Sequence, residues 1–157
     1  MIFETIEEFA AALPPNGALM GLDLGTKTIG VALSDARRNV ASAKLTVKRK
    51  KFGIDAAQLQ DIIMQNAVCG IILGFPRNMD GSEGPRCQST RAFARNFDPL
   101  CGLPIGYWDE RLSSVAAERV LLAADTTRKR RAEVIDNVAA AFILQGVLDR
   151  FAAIGAA

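Results

Sequence analysis

The 157-residue sequence contains no histidine. That absence excludes Ser-His-Asp and Cys-His nucleophilic chemistry, and with it every zinc or iron centre built on imidazole. Cysteine is scarce as well: Cys69, Cys87 and Cys101 are odd in number and widely spaced, which predicts reduced thiols in or near the core rather than a disulfide framework. A metal bound by such a chain is left with oxygen ligands, meaning Mg²⁺, Mn²⁺ or Ca²⁺ held by carboxylates. No apolar run approaches the length that crosses a bilayer, and Met1-Ile2-Phe3-Glu4 lacks the basic start of a secretory signal, so the expectation is a cytoplasmic protein with no membrane association. Aromatics are sparse at 6%, half of the residues are apolar and 23% are charged, a balance that suits a compact α/β protein and excludes a disordered one.

The length suits one domain with a genuine core. The net charge of +2 is slight, but the positive charge is bunched into Lys48-Arg49-Lys50-Lys51 and Arg128-Lys129-Arg130-Arg131, each in a stretch that reads as loop. Residues 1–16 read as an amphipathic helical appendage, with Ile6, Phe9, Ala10 and Leu13 at helical spacing and Pro14-Pro15-Asn16-Gly17 ending it. The domain proper then spans 17–157. Leu19 to Ser34 reads as two strands joined by a tight Gly25-Thr26-Lys27-Thr28 turn, with Gly25 supplying unusual backbone angles. Val40 to Val47 adds a third strand and makes a meander.

A helix follows over Ile54 to Ala67, and Cys69 to Gly74 is a continuous apolar run of the kind found in a central strand covered on both faces. It empties into Gly74-Phe75-Pro76-Arg77-Asn78-Met79-Asp80-Gly81-Ser82, a loop dense in turn formers at the carboxyl end of a strand, where α/β proteins place binding residues. Pro85 opens a helix that runs to Phe97. Pro104 to Trp108 is a further strand that delivers Asp109-Glu110-Arg111. Ser113 or Ser114 caps a helix through Ala123, Ala124 to Arg131 reads as a mobile basic segment, and the last helix runs from Ala132 to Phe151.

Three acidic residues stand out. Asp23 interrupts an apolar strand and shares a face with Leu19 and Gly21, so its carboxylate has open space beside it and must find a partner, a proton or a metal. The plain alternative is that it caps the turn through its own backbone. Glu110 follows the last strand. Asp136 falls on the apolar stripe of the last helix with Ala139, Ala140, Ile143 and Val147, near the helix start, where the dipole favours an ionised carboxylate. Together they describe a carboxylate cluster at one edge of a mixed sheet, the arrangement two divalent cations need to grip a phosphodiester.

Four segments resemble the motifs of a known family: Asp-Leu-Gly-Thr-Lys-Thr-Ile-Gly-Val-Ala (23–32), Gly-Phe-Pro-Arg-Asn-Met-Asp-Gly-Ser (74–82), Asp-Glu-Arg-Leu-Ser-Ser (109–114) and Val-Ile-Asp-Asn-Val-Ala-Ala-Ala-Phe-Ile-Leu-Gln (134–145). They are similar to those of the bacterial Holliday-junction-resolvase-like family of pre-16S rRNA nucleases, over roughly residues 18–150. Four ordered motifs are more specific than any one. The resemblance implies a ribonuclease H-like α/β fold, here a mixed five-stranded sheet flanked by helices with an extra N-terminal helix. It also implies hydrolysis of phosphodiester bonds with Mg²⁺ or Mn²⁺ at a two-metal site, and maturation of the 5′ end of pre-16S rRNA in ribosome biogenesis. Asp23, Glu110 and Asp136 are then the metal-binding and catalytic residues, and the partner is pre-rRNA or a pre-ribosomal particle.

Residue chemistry adds phosphate donors around that triad. Lys27 and Thr28 in the turn, Arg77 and Asn78 in the 74–82 loop, and Arg111 beside Glu110 can reach a nucleic-acid backbone or, for Arg111, steady the carboxylate. Arg128, Lys129, Arg130 and Arg131 supply salt-sensitive affinity. The chain departs from the family at Glu133, a negative charge where relatives often carry a basic residue. Arg130 and Arg131 are expected to take over that contact.

Three rival readings have distinct signatures. A Holliday-junction resolvase acting on branched DNA in recombination would work as a symmetric dimer, whereas an RNA-processing enzyme is open to a monomer or homodimer. A non-catalytic nucleic-acid-binding domain of the same fold would retain the surface and lose the chemistry. An actin-like ATPase also begins with Asp-Leu-Gly-Thr and Ile-Gly-Val-Ala, but clamps nucleotide between two such domains, and this length supplies one.

Overall fold

The computed structural model describes residues 1–112 and 128–155, and of residues 128–136 the backbone alone. In chain order the elements are β1 (Ile2–Phe3), α1 (Ile6–Ala12), β2 (Ala18–Leu24), β3 (Thr28–Ser34), β4 (Ala41–Lys48), α2 (Phe52–Gln65), β5 (Val68–Phe75), α3 (Pro85–Cys101), β6 (Ile105–Asp109), a 3-10 turn (Glu110–Leu112) and α4 (Arg128–Ile154). The expected Ser113-to-Ala123 helix lies outside the described residues.

The strands form one mixed sheet in the order β1-β6-β5-β2-β3-β4. β2, β3 and β4 make the antiparallel meander, and β2, β5, β6 and β1 run parallel. The sheet therefore has six strands where the sequence predicts five. Ile2 and Phe3 pair with Ile105 and Gly106, too few residues to show an alternating pattern. This strand covers the exposed edge of β6, which would otherwise present a row of unpaired backbone groups. Glu4, in the link to α1, is bridged by Arg91 to Glu83 (2.7–3.0 Å), and Glu7 of α1 pairs with Arg150 of α4. Thr5 caps α1 by accepting from the Glu8 N–H.

Alternation along the strands divides the core. On one face α2 and α3 cover Met20, Leu22, Ile71, Leu73, Phe75 and Tyr107. On the other, α4 and α1 cover Leu19, Ala32, Ile72 and Trp108. The apolar stretch Asn137–Ile154, with mean hydropathy 1.3, is long and apolar enough to span a bilayer, contrary to the expectation that no run is. Here it is a core helix: Ala139, Ala140, Ile143, Leu144, Val147, Leu148 and Phe151 are buried in this layer.

Two local expectations change. Gly25 lies outside the left-handed region; the turn closes through its N–H donating to the Thr28 carbonyl (2.8 Å). Arg128–Arg131 form the first turn of α4 rather than a loop, because a run of Arg, Lys and Ala has good helix propensity and no breaker separates it from the helix. The cysteines are unpaired, as expected, with Cys87 buried and burial pushing its thiol up.

Candidate active site

Parallel β2, β5 and β6, together with β4, end on the same edge of the sheet, so the segments that follow them gather there: the Gly25–Thr28 turn, Lys48–Lys51, Phe75 to Asn78, and Asp109 to Arg111. Asp23 lies one residue from the end of β2 and is only 3% exposed. It faces α4, as its alternation with Leu19 and Gly21 requires. A Cβ on Gly21 would lie 2.9 Å from Leu144 and 3.1 Å from the Ala140 carbonyl oxygen.

The residues beside Asp23 have no side chains. Its antiparallel partner on β3 is Gly30, and the register Leu22↔Leu73 continues toward Gly74 on β5. A Cβ added to Gly74 would meet Ile143 Cδ1 at 2.5 Å and a Glu110 carboxylate oxygen at 3.3 Å. The Glu110 carboxylate thus lies over the space a side chain at Gly74 would take. Glycine on both sides of Asp23 puts no side chain of β3 or β5 next to it, and Ile143 of α4 and the Glu110 carboxylate come down over Gly74 instead.

Neighbouring Asp109 and Glu110 do different work. Asp109 is paired with Phe75 in the sheet and binds Arg111 through both carboxylate oxygens, with the shortest contact at 2.7 Å. Burial pushes the Asp109 carboxyl up, but the Arg111 side-chain and backbone bonds and the charges of Arg111 and Arg77 more than reverse it, leaving it below its ordinary value. Arg111 therefore engages Asp109, not Glu110.

Arg77 caps the Phe75 ring at 5.1 Å, donates to the Gly81 carbonyl (3.2 Å) and stands 4.0 Å from Asp109. Asn78 donates to Ser82 Oγ and Asp80 accepts from the Ser82 N–H, so the 76–84 loop is bonded within itself. Gly81, at φ 89, turns the loop where a side chain would be strained, and the Arg111 guanidinium packs against it. Lys27 is exposed on the turn. The side chains of Arg128, Lys129, Arg130, Arg131 and Asp136 lie outside the described residues, as does that of Glu133. Three basic residues escaped the sequence reading as a group: Arg49, Lys50 and Arg86 border one concavity beside the hairpin turn. The tetrad at 48–51 was the only signal for two of them.

A family model described as "RuvX: Holliday junction resolvase" matches residues 17–150. The chain belongs to that family. Among its relatives, a protein of Ruegeria pomeroyi named "Putative pre-16S rRNA nuclease" is 69% identical, covering 96% of this chain and 97% of its own length. A protein of the same name from Paracoccus denitrificans is 64% identical and covers 99% and 98%. In architecture the chain is similar to T. thermophilus RuvC, solved with a Holliday junction substrate, at a TM-score of 0.54 and 11% identity over 87% of this chain and 96% of that one. The fold is ribonuclease H-like, and residues 1–16 fall outside the family match.

Among the described residues no group of three or more Asp, Glu, Cys or His side chains is gathered. The donors that are described nonetheless fit a hard divalent cation. They are carboxylates, imidazole is absent from the chain, and the Glu110 carboxylate comes within 3.3 Å of where a Cβ on Gly74 would stand, on the face of the sheet that Asp23 shares.

Proposed function

We propose that this chain is a divalent-metal-dependent endonuclease that matures the 5′ end of pre-16S rRNA in the cytoplasm. The observation that carries the reading is the approach of Glu110 to the side-chain-free floor beside buried Asp23, at the edge where three parallel strands end. Asp23 and Glu110 would hold Mg²⁺ or Mn²⁺, with Asp136 as third ligand. Asp136 stands four residues before Ala140, about 6 Å along the helix and on the same stripe. Bound there, two such ions supply an activated water and stabilise the leaving oxygen.

The remaining residues bind and orient the strand. Lys27 and Thr28, on the turn immediately after Asp23, donate to non-bridging phosphate oxygens. Arg77, Asn78 and Arg111 shape the opposite wall and direct their remaining N–H groups at the backbone, with the Asp109 bond holding the Arg111 fork in place. Arg128, Lys129, Arg130 and Arg131 add phosphate neutralisation at the start of α4.

The family description favours one second reading, resolution of branched DNA. Incubating the purified protein and Mn²⁺ or Mg²⁺ with an RNA spanning the 16S 5′ boundary, and separately with a four-way DNA junction, decides between them. Cleavage of the RNA that stops on adding EDTA is the expected result. Symmetric cutting of the junction with the RNA left intact would transfer the assignment to DNA.

A further inference from the structure

The concavity beside the hairpin turn, of about 450 Å³, is bordered by Gly25, Thr26, Arg49, Lys50, Arg86 and Ser89. No carboxylate borders it among the described residues. Its basic side chains come from two parts of the chain: Arg49 and Lys50 from the link between β4 and α2, and Arg86 from the first turn of α3. Two are anchored on consecutive carbonyls. Arg86 Nη2 donates to Leu24 O at 3.4 Å, and Arg49 Nη1 to Gly25 O at 2.7 Å. The Lys50 N–H is held by buried Asp55 (3.0 Å), and the Arg49 N–H by the Lys27 carbonyl (2.8 Å). Each guanidinium carries five N–H donors, so one bond to a carbonyl fixes its position and leaves donors for an anion. By contrast, the Ser89 and Thr90 hydroxyls donate to helix carbonyls, so the basic groups are the binding elements.

Position gives this cluster its meaning. Leu24 directly follows Asp23, and its side chain packs into the α2/α3 layer, whereas Asp23 faces α4. The concavity therefore lies across the hairpin turn from the candidate cleavage site, with Lys27 on the crest between them. We propose that it is a backbone phosphate subsite for the RNA strand as it leaves the cleavage site over the Gly25–Thr28 turn. The proposal rests on the nuclease reading and deepens it: the substrate would be gripped on both sides of the turn, which calls for a flexible single strand rather than a stiff duplex.

The test is binding of a fluorescein-labelled single-stranded RNA followed by anisotropy in EDTA, where cleavage does not interfere, across a series of salt concentrations. The Lys50→Gln/Arg86→Gln double variant should bind at least tenfold more weakly. The magnitude of its slope of log affinity against log salt should fall by about 1.4, since each single-strand phosphate contact contributes about 0.7. Lys44→Gln, at the opposite edge of the sheet, should leave affinity and slope unchanged. An unchanged slope in the double variant overturns the subsite, and if that variant's cleavage with Mn²⁺ also keeps the wild-type KM the nuclease reading survives alone. Failure of the wild-type protein to cleave any RNA sinks that reading and the subsite with it. A slope change seen with a four-way DNA junction and absent with RNA overturns the RNA assignment.

Discussion

On the α4 face of the sheet glycine meets helix, while on the α2/α3 face rings meet rings. Gly21 and Gly74 of the strands, and Gly146 of α4 against Trp108, leave less room than one Cβ needs, so the helix lies close on that side. Across the sheet Phe93 stacks on Phe97, Phe52 meets Phe93 edge-on, and Phe75 packs on Tyr107 at 4.8 Å under the Arg91 guanidinium. The ring-filled face buries large apolar area and stabilises the domain. The glycine face has a core of its own, with Phe9 against Phe151 at 6.3 Å and Trp108 against Gly146, and adds at its strand-end edge a carboxylate pair under a close helix. Both sides of the sheet thus stabilise the domain while the candidate chemistry sits on one, and substitutions on each should separate the two.

The largest effect belongs to the aromatic face. Phe97→Ala empties a fully buried site and should cost about 3–5 kcal/mol of unfolding free energy by urea titration, with specific activity of the folded fraction retained. Next comes Asp23→Asn. It should lower cleavage by more than about 100-fold, since even partners behind a metal ligand cost 10–100-fold, while the melting temperature stays within a few degrees. Cleavage at the wild-type rate would break the division. Gly74→Ala is the sharper probe, because its Cβ would press on Ile143 and crowd Glu110. It should cost about 1–3 kcal/mol of stability together with a disproportionate loss of rate, measured on the same preparation.

Arg91→Lys, on the aromatic face, removes a guanidinium shared by Glu4 and Glu83 and should lower stability by about 1 kcal/mol with no change in rate. The smallest effect is acid-dependent. Because Asp109 sits below its ordinary value in the folded chain, its contribution is complete above the normal carboxylate range and disappears as pH falls through the depressed value. Arg111→Gln should therefore lower the melting temperature slightly at pH 7 and leave it nearly unchanged near pH 2.

The division was partly legible in the sequence. The meander, the central strand and the facing of Asp23 follow from periodicity, which is local and repeats over several residues. The apolar stripe of α4 was legible too, though its start at Arg128 was not, since helix propensity runs through a charge cluster that resembles a loop. β1 was missed because a two-residue strand has no period. The pairing of Arg111 with Asp109 instead of Glu110 follows from alternation at the end of β6, which sends neighbouring carboxylates to opposite faces. The gathering of Arg49 and Arg86 beside Leu24 and Gly25 depends on contacts between residues 24–62 positions apart, beyond any pattern within a segment.

The central claim is that Asp23 and Glu110 share a divalent cation over the glycine floor. Calorimetric titration of Mn²⁺ into the wild-type protein, Asp23→Asn and Glu110→Gln tests it most directly. The account predicts saturable binding by the wild type that is lost or at least tenfold weaker in both variants, each still folded. Equal Mn²⁺ affinity in all three proteins would contradict it.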